Sequence, residues 1–365
     1  MSQDKSNFQD VFTQLANENH LDSDWQQQTR DLLAREHNEQ PWYVRIMVGF
    51  SAWLASWLLI GFMVGAAIVE SEQATLMMGV VLVVGAVIAR GISDNDFMSQ
   101  MALAVCLAGE GLMVYAVARI SDSFEVTILS FIVLEVVLIA FYTDPVHRFL
   151  SLASIIIALA GLLFKWEAQS FIHVIVIAGA IAFVVLVNSE QKYLAKGLAR
   201  LMTPIKWGVL FGQLSVLMLS TIYVLPELMK DFEFFPLPWI SSVGLGLLFL
   251  YLVFRAIQAE SFQLTTAAMA TIYTICALAI VGASMAPGLI MALIILLLGF
   301  SRADRVLLGV AIGFFAVFLA AFFYGIEVTL LMKSVVLVAT GIVLLVGRFI
   351  LKSYLASQDK VESNA

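Results

Sequence analysis

The chain has 365 residues, 61% of them hydrophobic and only 13% charged, with a formal net charge of -7. A soluble domain carries about 25% charged residues, so most of this surface never meets water and an ordinary globular protein is excluded. The acidic balance names no partner, because the charges are parcelled out among loops, and Cys106 and Cys276 read as small packing residues rather than a disulfide or metal site, with no further Cys or His at ligand spacing.

Residues 1–40 form a polar preface. Phe8, Val11, Phe12 and Leu15 recur at helical spacing, residues 17–22 break the pattern, and Ser23 can cap a second helix bearing Trp25, Leu32 and Leu33. A short soluble helical hairpin is expected, as a cap that packs on the bundle or lies in the headgroups; docking of a soluble partner is the other reading. No cleavable signal is expected, because the first apolar run is too long for one.

Pro41-Trp42-Tyr43-Val44-Arg45 has the aromatics and cation of a membrane interface. Apolar stretches follow at about 46–69, 74–89, 98–118, 125–142, 147–164, 170–187, 205–225, 238–257, 264–281, 284–300, 305–324 and 328–350. Most have the ~17–25 residues a helix needs to cross ~30 Å of hydrocarbon. The second, at sixteen, is marginal. Strand-like alternation is absent, and only helices then satisfy the backbone in lipid. The expected fold is all-α: a polytopic bundle of about twelve spans, or ten to eleven if a marginal pair is re-entrant. It divides into a first membrane half (41–187), a basic linker (188–206), a second half (207–350) and a tail (351–365).

The linker carries Lys192, Lys196, Arg200 and Lys206. Placing the N-terminus in the cytoplasm puts sixteen Lys and Arg on the inner side and leaves Arg119, Lys165, Lys230 and Lys333 outside. That asymmetry orients the chain with both termini cytoplasmic and the span number even. The longest outer loop, PELMKDFEFFPLPW from Pro226, reads as a short interfacial lid. DPVHRFL from Asp144 and RADRVLL from Arg302 each join a fourth span to a fifth, and Glu167 and Glu327 follow the fifth spans, all roughly 160 residues apart, as in the six-plus-six repeats of many transporters. Apolar helices also resemble each other cheaply, so a duplicated and an unduplicated bundle both stand open.

Three stretches, PWYVRIMVGFSAWLA from Pro41, DPVHRFLS from Asp144 and FFYGIEVTLLMKS from Phe322, combine aromatics, charges and spacing that generic apolar helices lack. Together the chain resembles an uncharacterised bacterial polytopic inner-membrane family, the domain of unknown function 4401 type, across Pro41 to Arg348. The resemblance implies the bacterial inner membrane and a small membrane-anchored partner protein, and it carries no activity.

Chemistry must then come from polar groups within the apolar stretches. Glu110 and Glu135 each fall ~13–15 Å below the outer surface at 1.5 Å per residue, near the bilayer centre and with no cation at that depth. On adjacent antiparallel helices they form a candidate intramembrane acidic pair, read either as a proton-accepting site or as two neutral acids bonding helices together. Ala102, Cys106 and Glu110 share a small-residue face for close helix approach. Glu327 and Lys333 are a candidate ion pair at the outer turn, as a structural pin or a ligand grip. Gln213 and His173 are candidate interhelical hydrogen-bonding groups. The hydroxyls of Thr265, Thr266, Thr271, Tyr273 and Thr274 can satisfy their own helix.

No HExxH, GxSxG, P-loop or paired His motif is present. An enzyme is therefore not expected, nor a cofactor, and the linker has too few charges and aromatics for nucleic acid. Two functions stand open. One is a secondary carrier of a small solute, with proton coupling as an option; the other is a non-transporting scaffold or subunit of an envelope complex. The substrate, if any, is not legible.

Overall fold

Long apolar segments in lipid must satisfy their own backbone, and every element among the described residues is helical. The computed structural model describes residues 71–92, 96–219, 235–259 and 266–325, with scattered helical positions between 44 and 62 and at 331. In order these give α1 (Glu72–Ile92), α2 (Asp96–Ser121), α3 (Phe124–Phe141), α4 (Pro145–Lys165), α5 (Ile172–Asn188), α6 (Glu190–Ala195), α7 (Ala199–Met218), α8 (Trp239–Ala259), α9 (Thr266–Gly282), α10 (Pro287–Ser301) and α11 (Arg305–Gly325). A single 3-10 turn, Gln169–Phe171, leads into α5.

Seven of these helices, α1 to α5, α7 and α8, are long and apolar enough to cross a membrane. Apolar helices also occupy 268–282, 287–301 and 305–321. Large hydrophobic side chains point outward along them: Met77, Val133, Phe141, Leu247, Val281 and Ile312 are 61–71% exposed. Soluble proteins do not tolerate an apolar coat of this extent, whereas acyl chains match it. This is the surface of a helical membrane protein.

The second to eleventh expected stretches coincide with described helices. The first is described only at scattered positions, and the twelfth only at Leu331. A total of twelve spans is therefore an expectation, and duplicated and unduplicated bundles both stand open. The soluble hairpin, the tail and most of the outer loop from Pro226 lie outside the described residues.

Two helices extend beyond the apolar stretches read from the sequence. The marginal second stretch is a 21-residue helix. Ser71 starts it, its hydroxyl accepting from Ala74 N at 3.1 Å, and Arg90 in its last turn suits the negative helix end. The linker over 188–206 is also mostly helical. α6 closes on Gly197 in the left-handed region (φ 70), and α7 then begins at Ala199, with Pro204 inside it. The apolar stretch read from the sequence begins near 205, after the basic linker, so the helix starts about a turn and a half earlier than its apolar part. The preceding turn is helical as well, and Lys206 behind it pairs with Glu190 of α6.

The chain divides into two units, Met1–Met113 and Val114–Ala365. In the first, α1 meets the N-terminal part of α2 at Gly79 and Gly109. A Cβ built on either would lie 2.8 Å from the other's carbonyl oxygen. In the second, α4 packs against α3 and α7, α7 against α5, and α10 against α8 and α11. The α4–α7 seam rests on Gly208 and Gly212, one helical turn apart. An added Cβ at Gly208 would lie 2.8 Å from Phe149 O, and one at Gly212 3.0 Å from Ala153 Cα. Small residues at this spacing let backbones approach in lipid, where no hydrophobic force drives helices together. Among the described helices of the second unit α10 is the most buried, with Ile290, Met291, Ile294 and Ile295 fully enclosed.

Candidate functional site

Two kinds of polar environment occur in the second unit, one inside the bundle and one at its basic end. Inside, α7 carries Gln213, fully buried. Its Nε2 donates to Val176 O on α5 at 2.8 Å and contacts Met291 Sδ on α10 at 3.6 Å. Gly179 leaves room for the amide, since a Cβ there would meet Gln213 Oε1 at 3.2 Å. His173, near the start of α5, has Nδ1 2.8 Å from Ser241 Oγ on α8, and its ring meets Phe235 edge-on at 5.4 Å. Ser242 Oγ donates to Ala283 O at 3.4 Å. Each bond joins different segments of the chain, so these polar groups serve helix association. The hydroxyl of Thr274 instead donates to Ala270 O of its own helix at 2.7 Å.

Both glutamates of the expected acidic site are buried, Glu110 at 5% and Glu135 at 3% exposure. Ala102, Cys106 and Glu110 lie on one buried stripe of α2, and Cys106 Sγ donates to Glu110 Oε1 at 3.2 Å. Glu110 belongs to the first unit and Glu135, on α3, to the second. Glu327 and Lys333 lie outside the described residues.

A further polar group sits where α3 turns into α4, in the DPVHRFL segment that the sequence marks only as a connecting motif. Asp144 N-caps α4, its Oδ1 accepting from Val146 N at 2.9 Å and His147 N at 3.0 Å. His147 is buried, with Nδ1 3.0 Å from Ser151 Oγ and its ring edge-on to Tyr142 at 4.8 Å. Arg148 is buried too, and its Nε donates to Ile139 O at 3.1 Å. The matched loop at Arg302 repeats the cap, with Asp304 Oδ1 accepting from Val306 N and Leu307 N. The arginines do not repeat. Arg148 lies four residues after its capping aspartate and is buried, whereas Arg305 lies one residue after and is exposed.

The basic end is built around the short helix α6. Lys206 Nζ reaches back from α7 to Glu190 Oε1 at 3.0 Å and lies 5.4 Å over the Trp207 ring. Lys206 is thus a buried anchor and not one of a row of solvated linker cations. Tyr193 is buried beside it, and burial, then the Glu190 charge, push its phenol above the ordinary tyrosine value. Next to this anchor a cavity of about 490 Å³ opens between the ends of α5, α8 and α10. Arg255, Arg302, Asn188, Gln191 and Ser301 line it, with Leu252 and Leu298 on its wall. Arg302 Nη2 donates to Asn188 Oδ1 at 3.1 Å. The positive-charge count marked this end of the helices as basic; it could not show which arginines converge.

Comparison with known proteins adds a family. The model described as a domain of unknown function (DUF4401) matches residues 41–354. No curated protein and no solved structure matches the chain.

Proposed function

The chain belongs to the DUF4401 family, and on that premise we propose that it is a secondary carrier of a small solute, with its basic end in the cytoplasm. One observation carries the reading: two carboxyls, Glu110 and Glu135, are held at 5% and 3% exposure in helices whose other charged residues lie in their end turns. Carboxyls inside a membrane are expensive and as a rule mark ion or substrate pathways. By residue count each lies well inside its span, so a carrier that accepts protons at either couples solute movement to the pH gradient.

The test is solid-supported membrane electrophysiology on proteoliposomes, with jumps in pH and in panels of small solutes. A transient current that Glu110→Gln or Glu135→Gln abolishes, in protein that still elutes as one species, is the expected outcome. Currents that both variants retain would sink the proton role. Orientation is checked separately by labelling Ser189→Cys and Ser71→Cys, the first reactive only from the cytoplasm and the second only from outside.

A second reading, a membrane scaffold or complex subunit with a small membrane-anchored partner, draws on a different observation. Gln213, His173 and Ser242 spend hydrogen bonds on holding segments together. Absence of any solute-dependent current, together with one stoichiometric protein that copurifies, favours it.

A further inference from the structure

Three helices, α5, α8 and α10, end around the basic cavity. Helix C-termini carry partial negative charge and unsatisfied carbonyls, so the bland account of Arg255 and Arg302 is that they complement these ends. That account leaves three features unexplained. Both guanidiniums line one cavity although they come from different helices. Neither is in an ion pair among the described residues, because Glu190, the nearby carboxylate of α6, is engaged by Lys206. The wall also has an order along the helix axes: Leu252 precedes Arg255 by one turn on α8, and Leu298 precedes Arg302 by one turn on α10. Cations therefore sit at the outer rim and leucines on the membrane side.

We propose that this cavity binds an anionic phospholipid, its phosphate held by Arg255 and Arg302 and its acyl chain lying against Leu252 and Leu298. Guanidinium donors match phosphate oxygens in paired geometry, and Asn188, Gln191 and Ser301 add neutral donors for the glycerol and headgroup oxygens. The amphipathic lining distinguishes a lipid from a free anion, which would need no apolar wall. Basic pockets between membrane helices at the cytoplasmic surface are where anionic headgroups are held. The inference is independent of whether the chain carries a solute.

The experiment uses the purified full-length protein in neutral detergent, with phosphatidylglycerol, phosphatidylcholine of the same chains, and inorganic phosphate as three probes. Lipid adducts are counted by native mass spectrometry, and stabilisation is read from the melting temperature. Phosphatidylglycerol should be retained at least ~10-fold more tightly than phosphatidylcholine, and Arg255→Gln with Arg302→Gln should remove that preference, the scale expected for deleting two cations at an anionic surface. The double Lys variant keeps the charge and should keep part of the preference, which covers the case in which the Gln variant misfolds. Arg305→Gln, an exposed arginine outside the cavity, should bind as the unaltered protein does. Equal retention of the two lipids, an undiminished preference in the Gln variant, or an equal loss in Arg305→Gln would each overturn the proposal. Displacement of the lipid by millimolar phosphate, with the same stabilisation from phosphate alone, would assign the cavity to a soluble anion and overturn it as well.

Discussion

The interior of the second unit and its basic end use polar residues in opposite ways. Inside, Gln213 and His173 find partners on other segments, and the space around them is filled to the point where Gly179 could not carry a side chain without pressing on the amide. At the basic end, Arg255 and Arg302 border open space and no carboxylate neutralises them among the described residues. The cost of an unsatisfied polar group explains the contrast. In hydrocarbon such a group costs several kcal/mol, so Gln213 Nε2 and His173 Nδ1 are bonded across segments, although Gln213 Oε1 and His173 Nε2 are buried without a partner among the described residues. At the water interface that penalty vanishes, and charges can be left for something that binds.

The sharpest way to break this contrast is to add volume to each region. Gly208→Leu or Gly212→Leu drives a side chain into the backbone of α4, at Phe149 O and Ala153 Cα, so the helices must separate. The expected loss is about 3 kcal/mol or more, at the upper end for overpacking. Gly309→Leu, with nothing within 4 Å of its Cβ position, should be near neutral. Melting temperatures in one detergent decide it; equal effects at the two sites would refute the seam.

Next in size is the interior hydrogen bond. Gln213→Leu removes the bond to Val176 O, and helix–helix bonds in membranes are worth about 0.6 kcal/mol on average and ~1.7 at most. A drop within that range is expected in a chemical-denaturation series. No drop at all would show that this bond does not stabilise helix association.

The two capping aspartates test the same contrast at the helix starts. Asp304→Ala, at a half-exposed cap, should cost about 1 kcal/mol. Asp144→Ala should cost more, because that carboxylate is 5% exposed and lies beside buried Arg148. Reversal of that order would show that burial does not set cap strength here.

Alkaline titration probes the anchor of the basic end. Tyr193 has its phenol raised above 10.0 by burial and then by the Glu190 charge. The folded state therefore holds this proton more tightly than the unfolded chain does. The associated stability is complete below the ordinary tyrosine value and is lost as pH rises through the raised one. Tyr193→Phe should flatten the fall in melting temperature above about pH 10, and an unchanged slope would place the alkaline loss elsewhere.

The smallest effect expected is at Ala303. It sits at φ 52 and closes α10 in a Schellman turn, with Asp304 N donating to Gly299 O at 3.0 Å and Ala303 N to Phe300 O at 3.2 Å. Glycine fits that conformation without strain, so Ala303→Gly should stabilise by a few tenths of a kcal/mol up to ~1. The gain is read as a shift in melting temperature, and destabilisation would show that the alanine methyl is needed there.

Sequence by itself determined the membrane class, the all-helical state and the positions of the second to eleventh apolar stretches. The physical reason is that hydrocarbon forces each segment to satisfy its backbone locally, so length and hydropathy suffice. It also singled out Gln213 and His173, because a lone polar group in an apolar helix must find a partner, though not which one. Gly208 and Gly212 were legible as glycines one turn apart, yet their spacing alone does not show that α4 is what they meet. Tertiary structure alone decided the remaining arrangements. Lys206 reads as one more linker cation until α6 folds back and places Glu190 beside it. His147 and Arg148 open the expected 147–164 stretch in the sequence, but only packing shows that both are buried behind the Asp144 cap. Arg255 and Arg302 lie 47 positions apart in the chain, and only the packing of α8 against α10 brings them to one cavity. Local spacing encodes what a helix does to itself; contacts between distant helices are set by which faces pack, and that information is spread over the whole chain.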